Sequence, residues 1–113
     1  MGVSFSHGEA SWSYSGWDAF LIRLAATAGI DLQDWESNPE HRPSTRKDPL
    51  VLLFFPQGGA SPKIYRTRNV ADRLREVLAL FDPEDINGDI YAGMRLVDSL
   101  ELARKEGVPL AFY

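Results

Sequence analysis

The sequence predicts an α+β domain, with about three helices packed on a small, mainly antiparallel sheet that includes an N-terminal β-hairpin. Three observations carry this. Large and small side chains alternate with period two through residues 3–14. Apolar residues recur at helical spacing in three later stretches, 17–28, 70–81 and 90–103. The chain has 113 residues, 44% hydrophobic and 25% charged, which is ordinary usage for one globular domain.

At the N-terminus, Val3, Phe5 and His7 alternate with Ser4 and Ser6, and Ala10, Trp12 and Tyr14 alternate with Ser11, Ser13 and Ser15. A two-residue turn at Gly8-Glu9 pairs His7 with Ala10, Phe5 with Trp12 and Val3 with Tyr14. Every large side chain then falls on one face and every serine on the other. The spacing next predicts a helix over 16–28, opened by Ser15 and Asp18 in a capping-box-like start. Trp17, Phe20, Leu21, Leu24, Ala25 and Ala28 form its apolar face, and Gly29 followed by Ile30 suits a left-handed C-cap.

Residues 31–49 read as a long loop, rich in Pro, Ser, Asn and charge, anchored by Trp35. The apolar run 50–55 reads as a strand buried on both faces, with a short buried helix as the alternative. A turn at 57–60 leads to a returning strand at 63–66. A second helix fits 70–81, with Asn69 as N-cap, Val70, Leu74, Val77, Leu78 and Phe81 as its stripe, and Asp82-Pro83 as its stop. A third fits 90–106, with Asp89 as N-cap and Gly107 at its end. Ile90, Met94, Val97 and Leu100 make its stripe, widened by Leu96 and Ala103. Residues 108–113 read as a terminal strand, with Pro109 at an edge or at the strand's start.

Composition excludes some chemistry. Zero cysteines rule out disulfides, thiol catalysis and Cys-type metal centres. No apolar run approaches the ~18 residues that span a bilayer. The opening residues lack the basic and apolar regions of a secretion signal, so a soluble, cytoplasmic protein without membrane association is expected. Charge is split along the chain. Residues 41–75 hold eight basic and two acidic side chains, net +6, while the rest holds four basic and fourteen acidic, net −10.

The string SFSHGEASWSYSGWDAFLIRLAATAGIDL resembles the opening of a family of small uncharacterised bacterial proteins, which carry a pattern like SFSHxxAxWSYSGFxxF. The likeness resumes at Val70-Ala71-Asp72-Arg73-Leu74-Arg75-Glu76 and again from Gly93-Met94 to Phe112, covering about two thirds of the chain. The family brings no known function to carry over. Where its members have an acidic HSDCDG-like stretch, this chain reads Phe55-Pro56-Gln57-Gly58-Gly59-Ala60, so any ion or partner held there by relatives is in doubt.

Catalytic motifs are absent. The two histidines, His7 and His41, lie in no HExxH pattern, and no serine lies in GxSxG. His7 has a general-base or weak metal-ligand reading, against the commoner role of a hydrogen-bonded histidine on the sheet. His41, between Glu40 and Arg42, reads as a solvated surface histidine. The stretch from Asp85 to Asp89 fails the EF-hand pattern, since Ile90 and Leu96 stand where Gly and Glu are needed. Gly58 to Lys63 is not a P-loop. No catalytic residue, metal ligand set or cofactor is assigned.

The expected function is therefore non-catalytic. The leading reading is an interaction protein that binds an acidic protein or other anionic partner through Lys63, Arg66, Arg68, Arg73 and Arg75, with Arg42, Arg46 and Lys47 on the adjoining loop. The bland reading is that these cations are solvated or pair with acids of the same chain. Nucleic acid is disfavoured by the net charge of −4 and the lack of a recognition motif. The alternative is a small-molecule binder or hydrolase with a pocket near His7, Trp12 and Tyr14, whose aromatic rings otherwise belong to the core. A homodimer through the serine face or the terminal edge strand is the third expectation.

Overall fold

Hydroxyl side chains near the N-terminus do two jobs, and this changes the hairpin. In the computed structural model, which describes residues 2–57, 62–84 and 88–112, strands β1 (Gly2–Ser4) and β2 (Ser11–Ser13) pair antiparallel. The pairs are Gly2 with Ser13, Val3 with Trp12 and Ser4 with Ser11. The register is thus two residues away from the predicted one, and the connection is the whole of 5–10 rather than Gly8-Glu9. A two-residue shift preserves the faces, so Val3, Phe5 and Ala10 are still buried and Ser4, Ser11 and Ser13 exposed. Tyr14 is the exception. It was expected inward and is 58% exposed, because the chain has already turned into a helix.

That helix, α1 (Tyr14–Ala28), begins two residues before the predicted start. Ser13, not Ser15, is the N-cap, and its hydroxyl accepts from the Gly16 amide at 3.0 Å. Its end is as predicted. Gly29 takes φ 74°, and the amides of Gly29 and Ile30 close on the carbonyls of Ala26 and Ala25.

The expected loop over 31–49 contains α2 (Leu32–Ser37) and a single 3₁₀ turn (Pro39–His41). Short polar side chains wind it locally: Asp31 caps α2 through the Asp34 amide at 3.0 Å. Trp35 does anchor it, packing edge-on against Phe54 at 6.2 Å. The apolar run at 50 is a helix, α3 (Leu50–Phe54), and not a strand. Asp48 accepts from the Leu50 amide at 3.1 Å and starts the turn. Because Leu50, Leu52, Leu53 and Phe54 are all buried, the run carries no periodicity to separate helix from strand.

Strand β3 (Lys63–Ile64) follows, and α4 (Thr67–Leu78) begins three residues earlier than predicted. Its N-cap is Arg66 and not Asn69. The expected stripe of α4 is buried in full. It packs antiparallel on α5 (Asp89–Glu106), with Leu78 against Gly93 at one end and Arg75 near Glu101 toward the other. A Cβ on Gly93 would stand 2.7 Å from a Leu78 methyl, so any larger residue there would force the Leu78 side chain to move. The inward face of α5 is accordingly Gly93, Leu96, Val97, Leu100 and Ala103, while Met94, predicted inward, is 39% exposed. Gly88, at φ 73°, precedes α5 where Asp89 was expected as cap.

Strand β4 (Leu110–Ala111) pairs with β3, Ile64 opposite Leu110 and Lys63 opposite Ala111. On its other side Ser6 donates to the Ala111 carbonyl at 2.9 Å, and Phe5 bridges Phe112. The terminal strand was offered as a free edge. Both its sides are occupied by the chain itself, which stitches the hairpin to the C-terminus. Parts of the predicted turns at 57–60 and 85–89 lie outside the described residues, as does Tyr113. Among the described residues no helix is long and apolar enough to cross a membrane.

Candidate functional site

The eight basic residues of 41–75 do not form one face. Arg42 lies flat on the Phe55 ring at 3.6 Å and donates to the Trp35 carbonyl at 2.7 Å. Arg73 reaches Asp48 at 3.4 Å and Glu76 at 3.2 Å. Arg75 holds Asp72 at 3.1 Å and Glu101 at 3.5 Å. Arg46 and Lys47 line a shallow cleft of about 380 Å³ with Asn69, Arg73 and the acids Asp72 and Glu76. Arg73 and Arg75 are thus each matched by two carboxylates within 3.5 Å.

Arg66 and Arg68 stand apart. They line a second groove, of about 310 Å³, with Tyr65, Thr67, Arg104, Gly107, Val108 and Pro109. No acidic residue lines it. The groove exists because α4 and α5 are antiparallel, which sets the start of α4 beside the end of α5. Arg104 comes in from α5, steadied by Glu101 at 3.6 Å. Arg66 has φ 52° and ψ 48°, the one non-glycine residue with positive φ among those described. This left-handed turn costs about 1–3 kcal/mol for a side chain with a Cβ. Lys63 sits on β3 outside this lining.

His7, Trp12 and Tyr14 face different surroundings. His7 pairs through Nε2 with Glu106 and through Nδ1 with the Ser6 hydroxyl at 2.8 Å. Both ring nitrogens are engaged, and the contact ties the hairpin loop to the end of α5. Trp12 stacks on Phe20 at 4.8 Å and meets Trp17 at 5.0 Å, while Phe5 meets Phe112 at 5.0 Å. These rings are filling the core. Tyr14 points to solvent. His41 donates through Nδ1 to the Asp34 carboxylate at 2.9 Å. That bond, with a second from Asn38, holds the Asp34 carboxyl below its ordinary pKa. No group of three His, Asp or Glu side chains among the described residues is placed to hold a metal ion.

Sequence reading named Arg66 and Arg68 and missed Arg104, Thr67, Tyr65 and Val108. Arg104 is 36 positions after Arg68, and nothing local marks them as neighbours. Comparison with protein-family models, with curated proteins and with solved structures finds no match to this chain. The resemblance of the opening segment therefore brings no residue roles to this groove.

Proposed function

We propose that this protein is a non-catalytic interaction module that binds an anionic protein partner through the groove between the start of α4 and the end of α5. One observation carries the reading: Arg66, Arg68 and Arg104 converge on a cleft with no carboxylate in its lining, while Arg73 and Arg75 of the basic segment are paired with acids of the same chain. Three guanidiniums held in one place attract an anion more than the same charges scattered. The surrounding chain, net −4 overall, repels polyanions at long range, which favours a short acidic segment over nucleic acid or an anionic membrane.

The test uses a poly-glutamate peptide and measures binding by fluorescence anisotropy at low salt. The double reversal Arg66→Glu with Arg68→Glu is expected to weaken binding by more than tenfold, and Arg73→Glu by less than twofold. Equal loss from both variants, or no loss from the first, overturns the groove as the binding surface.

A further inference from the structure

The same groove carries a more specific chemistry. The first three residues of α4 are Thr67, Arg68 and Asn69, and the first helical bond is made by the Val70 amide to the Arg66 carbonyl. The amides of those three residues therefore have no acceptor within the helix. No side chain caps them, and the first turn has no acid.

Thr67 supplies an independent observation. It is 7% exposed, and among the described residues its hydroxyl has no hydrogen-bond partner. Among the described residues no wholly buried side-chain oxygen lacks a partner, so the Thr67 hydroxyl keeps an open side. Thr67 is one of the residues that line the groove. A threonine more than nine-tenths buried that lines an arginine-rich cleft at a helix start can donate its hydroxyl to an anion seated there.

We infer that this groove is a phosphomonoester site, taking a phosphoserine or phosphothreonine side chain of the partner. The inference rests on the proposed function and narrows its ligand. Donor count decides between phosphate and carboxylate. Three guanidiniums, the Thr67 hydroxyl and the orphan amides exceed what two carboxylate oxygens accept, and they suit the three oxygens and roughly −2 charge of a phosphomonoester. The negative end of the α5 dipole opposes this by about half a charge. Gly107 and Val108 already cap the Arg104 and Ala103 carbonyls there, and the charges of Arg66 and Arg68, joined by an Arg104 that also pairs with Glu101, outweigh the remainder. Size decides the carrier. At about 310 Å³ the groove is at the small end for ligand sites and encloses no nucleotide. It admits one phosphorylated side chain, whose flanking backbone can lie over the exposed Tyr65 and Val108.

Inorganic phosphate is titrated into ¹⁵N-labelled protein at constant ionic strength, and a neutral phosphoserine peptide is compared with its glutamate counterpart. Phosphate is expected to shift the amides of Thr67, Arg68 and Asn69 selectively. The phosphopeptide is expected to bind about tenfold tighter than the glutamate peptide. Thr67→Val keeps the buried shape and is expected to weaken phosphopeptide binding about tenfold. Arg66→Gly suits the left-handed backbone, so it keeps the fold and is expected to lose binding to both. If poly-glutamate binds through Arg66 and Arg68 but phosphate shifts no first-turn amide, or Thr67→Val has no effect, the phosphate site is wrong and the proposed function stands. Phosphopeptide no tighter than free phosphate overturns the protein-borne ligand. If neither poly-glutamate nor phosphate binds, both readings fall.

Discussion

The two basic regions of this protein have similar composition and opposite electrostatics. Arg73 reaches Asp48 and Glu76, and Arg75 reaches Asp72 and Glu101, all carboxylates of the same chain. Around Arg66, three guanidiniums share a groove whose lining contains no acid. The first arrangement holds α4 to its neighbours and leaves little field. The second gathers its guanidiniums at a helix start whose cap, Arg66, takes the left-handed conformation. Counting charges along a chain therefore locates basic segments but not basic surfaces, because pairing at 3–4 Å decides what remains for a partner.

Four changes test that contrast, and they differ in size. Leu74 is fully buried on α4, the helix that carries both regions. Leu74→Ala is expected to cost about 2–5 kcal/mol in urea unfolding and to weaken anion binding only in step with unfolding. Binding lost at full folding would place Leu74's effect in the site and break the separation of platform from groove.

Arg73→Ala comes next, at about 1 kcal/mol or less, since it frees the half-buried Asp48 from a pair at its mouth. Poly-glutamate affinity should stay within twofold. A tenfold drop would mean that the two regions act as one surface.

Arg66→Gly should have the opposite sign. It relieves the left-handed residue and removes a cation from a helix N-terminus, against the entropy of an added glycine, for a net gain of about 0.5–1 kcal/mol. Higher stability with weaker anion binding is the expected result from paired denaturation and anisotropy measurements. Lower stability would show that the guanidinium itself holds the turn.

The smallest effect concerns Asp34. Its pKa is lowered by hydrogen bonds from His41 and Asn38. Its contribution is thus fully present above the ordinary Asp value and is lost as pH falls through the lowered one. A carboxyl-carbon NMR titration should place Asp34 below the ordinary value, and Asp34→Asn should weaken the 31–42 segment at neutral pH and flatten its acid dependence without touching the groove. An unshifted titration would remove this segment's local brace.

Much of the architecture was readable in advance, and the failures have physical causes. The helical stripes at 17–28 and 70–81 are buried as their spacing implied, because a 3.6-residue period has one satisfactory solution. Gly29 and Gly107 end their helices because no other residue takes that backbone turn as cheaply. Boundaries failed where two candidates competed. Ser13 and Ser15 are chemically equal as caps, and only the pull of Phe5 toward Phe112 and of Trp12 onto Phe20 chooses between them. The apolar run at 50 failed because burial on all sides erases period. Met94 failed because Gly93, with no apolar side chain to signal its face, turned inward against Leu78.

The basic residues of the site were half legible. Arg66 and Arg68 could be named from charge density alone. Arg104 could not, since its membership depends on α5 running antiparallel to α4. Nor could Thr67, whose significance is a missing hydrogen bond.

Local chemistry along the chain set the α+β class, the apolar faces of the long helices and the glycine stops, since each depends on neighbours within a few residues. Which cations are neutralised, which edge of β4 is closed and which hydroxyl is left over are properties of residues brought together from tens of positions apart. Coulomb energy and hydrogen bonding depend on distance in space, and only the folded chain fixes that distance.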